Sequence, residues 1–183
     1  AALRKLMEEG KTRAIGVSNV SLAQLEEFAS VCPLAAFQPP YNMLQREIEH
    51  DALPWCMAHH VAVLVYWPLM KGLLAGKLRG DETFAGDSRR KYPMFQGDEY
   101  RKNLALVERL REIAAISGHT VAELVVNWTI HRPGITAALC GAKRPDQIRE
   151  TARAASWRLS SEQLALIDEA LAQRGPPVTK VPV

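Results

Sequence analysis

The sequence is short of cysteine, has no long apolar run and carries none of the compact metal or phosphate signatures. Its three cysteines, Cys32, Cys56 and Cys140, are an odd number with no C-x-x-C spacing. That argues against a disulfide framework and a zinc knuckle, and it fits the reducing conditions of a cytoplasmic protein. No apolar stretch reaches the ~18 residues a membrane helix needs, so no membrane role is expected. Residues Ala1 to Gly10 read as an amphipathic helix rather than a signal peptide, because Arg4, Lys5, Glu8 and Glu9 interrupt the apolar positions. There is no H-E-x-x-H or other metal-ligand spacing, so no metal site is expected. Neither a G-x-x-x-x-G-K-[ST] loop nor a G-x-G-x-x-G after the first candidate strand is present. These absences count against a P-loop enzyme and an open Rossmann sheet.

What the sequence does have is apolar content: 48% of 183 residues, with 23% charged. A disordered or collagen-like chain is excluded, and the length alone suggests one domain. The net charge of +3 is local. Between Lys71 and Lys102 lie eight basic and five acidic residues, and the rest of the chain is balanced. A nucleic-acid surface would show a broader basic stripe with interleaved aromatics. One mixed-sign segment fits a small anionic ligand, or a solvated loop with none.

Short apolar runs alternate with helical patterns. Ala14–Val17, Ala35–Phe37, Val61–Val65 and Ile135–Leu139 read as buried parallel strands. Ser21 with Gln24, Thr120 with Glu123 and Ser160 with Gln163 have capping-box spacing at three helix starts. Further helices are expected around Ile48–Ala58, Glu99–Ser117, Pro145–Ala155 and Ser160–Gln173, with an irregular tail from Gly175 to Val183. Strand–helix alternation with short connections specifies an α/β fold with a parallel sheet. Ser18-Asn19, Gln38, Tyr66-Trp67 and Gly141-Ala142-Lys143 follow the four strands in turn. Polar and aromatic residues at every carboxyl end are the pattern of a site at the top of a TIM (β/α)8 barrel.

Four segments then carry a resemblance. Gly10-Lys11-Thr12-Arg13-Ala14-Ile15-Gly16-Val17-Ser18-Asn19 resembles the G-K-[IV]-R-x-I-G-[VL]-S-N signature of aldo-keto reductases, NAD(P)H-dependent TIM-barrel carbonyl reductases. Phe37-Gln38-Pro39-Pro40-Tyr41-Asn42 is similar to that family's Q-x-x-Y-N segment. Tyr66 to Lys77 is similar to its Y-S-P-L-G-R-G-L-L-T-G-K, and Gly141 to Thr151 to its G-A-[KR]-x-x-x-Q-[ILV]-x-E-N. The departures are Trp67 for a small residue, Met70 for Gly, Ala75 for Thr and Thr151 for Asn.

The resemblance implies a nicotinamide dinucleotide and a small carbonyl substrate as partners. It gives Ser18, Asn19 and Gln38 the carboxamide, and Tyr66 the stacking face beneath the nicotinamide. It gives the segment Pro68 to Lys77, with Leu69, Lys71 and Gly72, the pyrophosphate, puts Trp67 beside the ring position, and gives Gly141, Ala142, Lys143, Gln147, Glu150 and Thr151 the adenosine end. Lys143 and Arg144 at a helix start favour NADP(H) over NAD(H), with Glu150 toward the adenine. The family's catalytic Asp, Tyr, Lys and His lie on strands before the G-V-S-N strand, so none is expected among these residues. Four strands cannot close an eight-stranded barrel. Residues 1–174 are therefore expected to be the C-terminal half of such a barrel, an incomplete barrel of about four βα units, inactive alone. Its open edges would favour self-association. The alternative is a non-catalytic, regulatory NADP(H)-binding module. The segment Leu78–Asp98, with Phe84, Tyr92 and Phe95 among its charges, is expected to overlie the cofactor or the pocket mouth, and which carbonyl compound enters is not legible.

Overall fold

The computed structural model describes residues 2–179. In chain order the regular elements are α1 (Ala2–Glu8), β1 (Gly16–Ser18), α2 (Leu22–Val31), β2 (Ala36–Gln38), α3 (Ala52–Ala58), β3 (Ala62–Tyr66), α4 (Gly97–Ile116), α5 (Val121–Ile130), β4 (Ala137–Leu139), α6 (Pro145–Arg153) and α7 (Ser161–Arg174). Short 3-10 turns fill Glu47–His50, Met70–Ala75, Ser88–Lys91, Pro93–Phe95 and Ala154–Ser156. The strands form one parallel sheet in the order β1, β2, β3, β4, each beside the next.

All three capping boxes form. At Ser21, Thr120 and Ser160 the hydroxyl accepts from the backbone N–H three residues on, and the Gln24, Glu123 or Gln163 side chain accepts from the cap's own N–H. Each box satisfies donors that a helix start otherwise leaves bare. The strands, in contrast, begin one or two residues later than the apolar runs. Val61 N–H bonds Cys56 O, and Ile135 N–H bonds Arg132 O, so these two residues close turns instead of joining the ladder. At the other end pairing extends through Ser18, opposite Gln38, and through Tyr66, opposite Leu139.

The helix expected over residues 48–58 is broken. Asp51 has non-helical φ/ψ (−144°, −70°) and accepts from Ala52 N–H, so it caps α3 and leaves Glu47–His50 as a separate tight turn. The chain from Gly175 to Thr179 is irregular, and the remaining tail positions, 180–183, lie outside the described residues, as does Ala1. The first helix exists, but none of its described residues is buried, and Leu3 and Leu6 stand 44% and 39% exposed.

The core lies between the sheet and helices α2, α3, α4, α5 and α7, where Leu25, Phe37, Val63, Val65, Leu110, Leu124, Trp128 and Ile167 are buried. The central helix is α5, in which every residue from Val121 to Thr129 is buried. Such a helix needs its polar side chains satisfied internally. Asn127 does this by donating to Ala154 O (2.8 Å) and Trp157 O (2.7 Å) while accepting from Leu159 N–H. Among the described residues β1 and β4 each pair on one side only. No single helix among them is long and apolar enough to cross a membrane.

Candidate functional site

The carboxyl ends of the strands gather the first group of residues read from the sequence. Parallel register sets Ser18 against Gln38, and Ser18 Oγ donates to Gln38 O at 2.7 Å. Asn19 follows in a left-handed conformation (φ +57°), which Asn tolerates better than most side chains. Its Oδ1 accepts the Tyr66 hydroxyl at 2.7 Å, so three strand ends converge on one polar patch. Burial raises the Tyr66 pKa, the Asn19 bond opposes that and Tyr92 reinforces it, with a net upward shift. Tyr66 is therefore a neutral donor at physiological pH.

After Tyr66 the backbone takes an unusual path. Trp67, Met70, Lys71 and Gly72 all have positive φ (+59°, +44°, +53° and +92°). For the three non-glycine residues this costs of the order of 1–3 kcal/mol each, so surrounding contacts must hold it. Met70, Leu73 and Leu74 are buried beneath the turn. Asn42, fully buried, donates to Trp67 O at 3.2 Å and accepts from Leu44 and Gln45 N–H at 2.9 and 3.0 Å. The Asn of the Q-x-x-Y-N segment thus braces the loop from below.

A cavity of ≈ 720 Å³ opens between this loop, the segment 87–89 and the start of α6. Trp67, Pro68, Leu69, Lys71 and Gly72 line one wall, and Gly141, Ala142, Lys143, Gln147, Glu150 and Thr151 another. Ser18, Asn19, Gln38 and Tyr66 are not on its wall. They lie at the strand ends beyond Trp67, whose ring meets that of Tyr66 edge-on at 5.3 Å. Gly72 and Gly141 border the cavity, and a Cβ added at either would meet no atom within 4 Å. Their backbones are open to close approach.

The cavity also has lining residues that the sequence reading covered only as segments or did not single out. Asp87, Ser88, Arg89 and Cys140 line it, along with Lys77. Arg89 lies in the basic segment noted above, and Asp87 precedes the short turn it caps, but nothing local places either beside α6. Arg89 pairs with Asp87 at 2.7 Å, and Lys77 pairs with Glu150 at 2.6 Å across 73 positions of sequence. Hydrogen bonds from the Arg89 side chain and N–H, with the charge of Lys143, hold the Asp87 carboxyl below its usual range.

The start of α6 is less open than the sequence suggests. The Gln147 Oε1 accepts from Lys143 N–H at 2.7 Å and Arg144 N–H at 3.1 Å, so these donors are taken by the chain itself. Arg144 turns to Asp146, with contacts of 3.0 and 3.1 Å. Thr151 Oγ donates back to Gln147 O. What faces the cavity is a set of side-chain cations, Lys71, Lys77, Arg89 and Lys143, among which Asp87 and Glu150 are the carboxylates. Such a cleft suits an elongated polyanion. The histidines lie elsewhere: His59 and His60 are exposed, and His119 stacks on Trp157 at 3.8 Å. No group of potential metal ligands exists among the described residues.

A model of the aldo/keto reductase family matches residues 1–172. The chain is 39% identical over 162 residues to the aldo-keto reductase YhdN of Bacillus subtilis, covering 87% of this chain and 49% of that protein. It is 32% identical over 169 residues to the NADH-specific methylglyoxal reductase of Escherichia coli, covering 92% of this chain and 52% of the relative. The solved structure of the glycerol dehydrogenase AKR11B4 from Gluconobacter oxydans superposes with a TM-score of 0.90 at 37% identity, covering 99% of this chain and 55% of that one. The chain thus spans about half the length of the curated relatives it matches. Four motifs in order, the parallel sheet with its cationic cleft and a match over residues 1–172 lead to one conclusion: this chain belongs to the aldo/keto reductase family.

Proposed function

We propose that this chain supplies the NADP(H)-binding part of an oxidoreductase that reduces aldehydes or ketones to alcohols. The observation that carries the reading is the cleft at the carboxyl ends of β3 and β4, with four cationic side chains on its walls and two glycines at its border. A dinucleotide fits that donor set. Its phosphates need positive charge and close backbone approach, which Lys71, Lys77, Lys143, Gly72 and Gly141 offer. Its carboxamide needs a donor and acceptors, which Ser18, Asn19 and Gln38 offer at the adjoining strand ends. The bound cofactor would supply the hydride, and the chain's residues would fix which face of the nicotinamide is presented.

NADP(H) is favoured because cations outnumber carboxylates in the cleft, and Arg89 and Lys143 could meet a 2′-phosphate. The Escherichia coli relative is named NADH-specific, so the family's name alone does not decide the preference. Tyr66 is not the proton donor in this reading: its hydroxyl bonds Asn19, and among the described residues no Lys, His or Asp is hydrogen-bonded to it. The catalytic Asp, Tyr, Lys and His would come from sequence outside these 183 residues, and residues 1–174 would form four of eight barrel strands with their helices. A cytoplasmic setting is consistent with the three free thiols, of which Cys56 is pushed up to about 11 by burial and is unreactive. Calorimetric titration with NADP⁺ and NAD⁺ tests the binding claim, with tighter binding of NADP⁺ expected. Carbonyl reduction by the purified 183-residue chain would contradict the assignment of catalysis to residues outside it.

A further inference from the structure

Lys71 is held differently from the other paired cations of the cleft. Lys77 and Arg89 are each engaged by a carboxylate, Glu150 and Asp87. The Lys71 ammonium sits instead 4.3 Å from the centroid of the Trp67 ring and 4.8 Å from that of Tyr92. The two rings meet at 86° with centroids 5.8 Å apart, so they form two perpendicular walls of a corner. Each wall has its own support. Trp67 leaves β3 in a left-handed conformation, with its carbonyl bonded by Asn42. Tyr92 stands between two 3-10 turns, its N–H on Arg89 O and its carbonyl accepting from Phe95 N–H, and Asn103 donates to Met94 O behind it.

We propose that Trp67 and Tyr92 are positioning residues that act through Lys71, presenting its charge to the phosphates of a bound dinucleotide. The inference rests on the cofactor reading above. A carboxylate neutralises the cation it holds and must be exchanged when an anion arrives. Ring faces attract the ammonium through their quadrupole but leave its net charge and its remaining N–H donors for the ligand. They also restrict a side chain that would otherwise give up rotamer freedom on binding. Trp67 stands where the family pattern has a small residue, so this corner is a feature of this chain's own sequence.

The test is titration of the intact protein with NADP⁺, with inorganic pyrophosphate as a competing probe. A cation–π contact contributes about 0.5–2 kcal/mol, so Tyr92→Leu and Trp67→Leu are each expected to weaken NADP⁺ about two- to thirtyfold. Tyr92→Phe keeps the ring and is expected to restore binding. In a Lys71→Met background, Tyr92→Leu is expected to add no further loss, which a merely structural role would not produce. Tyr92 lies on a surface loop, so its variants report even where Trp67→Leu fails to fold. If the wild type binds no NADP⁺, the cofactor reading falls and takes this inference with it. If the wild type binds, and Tyr92→Leu binds equally well, binds more tightly, or weakens just as much without Lys71, the inference alone is overturned.

Discussion

The Tyr66 hydroxyl donates to Asn19 Oδ1 at 2.7 Å, tying the end of β3 to the residue after β1 across 47 positions of sequence. The bond fixes the plane of the Tyr66 ring beside the patch formed by Ser18, Asn19 and Gln38. The hydroxyl is thereby engaged with the Asn19 side-chain amide.

Substitution at Tyr66 should divide the two contributions of that side chain. Tyr66→Phe removes one partly exposed hydrogen bond, with an expected stability loss of about 1 kcal/mol or less, and keeps the face proposed to lie against the nicotinamide. Tyr66→Leu removes the face as well. Thermal denaturation should show a small change for Phe, and dinucleotide titration a clear weakening for Leu alone.

Gly76 closes the loop that begins at Trp67, with φ +71°, and a Cβ there would fall 2.7 Å from Val121 Cβ at the start of α5. Backbone strain and a steric clash coincide, so Gly76→Ala should cost more than about 1 kcal/mol. Gly86 has a similar φ of +78° but open space around it. Gly86→Ala should therefore show the smaller loss in urea unfolding, and equal losses would refute the packing argument.

Arg174 ends α7 with its side chain 2% exposed, paired with Glu99 and donating to Asn103 Oδ1 at 2.7 and 3.0 Å. Removing one partner of a buried pair strands the others, so Arg174→Met should destabilise by about 3 kcal/mol. The same denaturant series measures it.

Acid stability should carry the signature of Glu82. Burial pushes its pKa up, but hydrogen bonds from Arg79 N–H, the Tyr100 hydroxyl and Gly80 N–H outweigh that and hold it at about 2, against an ordinary 4.5. Because the folded pKa is depressed, the stabilisation is present above about 4.5 and is lost as pH falls toward about 2. Wild type and Glu82→Gln should differ most above that window and converge below it. A constant difference throughout would show that the charge is not responsible.

The parts of this fold that were legible in sequence are the local ones. Ser21, Thr120 and Ser160 announce helix starts because their partners lie three residues away, and a parallel sheet follows from alternation. Asp51, in contrast, breaks a helix that periodicity predicts continuous, since it bonds the next residue's N–H instead of continuing the turn. The cleft was legible along its two motif-bearing walls, Trp67–Gly72 and Gly141–Thr151. Its third wall, Asp87 to Arg89, belongs to the segment expected over the cofactor, but spacing does not single out these three residues, since the loop is shaped by its own tertiary contacts, such as Asn103 to Met94. Nor does spacing reveal that Gln147 would occupy the N–H groups of Lys143 and Arg144.

The central claim is that this cleft binds a nicotinamide dinucleotide through its phosphates and prefers NADP(H). Calorimetric titration of NADP⁺ and NAD⁺ into wild type and the Arg89→Ala, Lys143→Ala double variant tests it most directly. Wild type should bind NADP⁺ more tightly than NAD⁺, and the double variant should lose most of that preference while retaining NAD⁺. Undetectable binding by wild type, or a preference untouched by losing both cations, would contradict it.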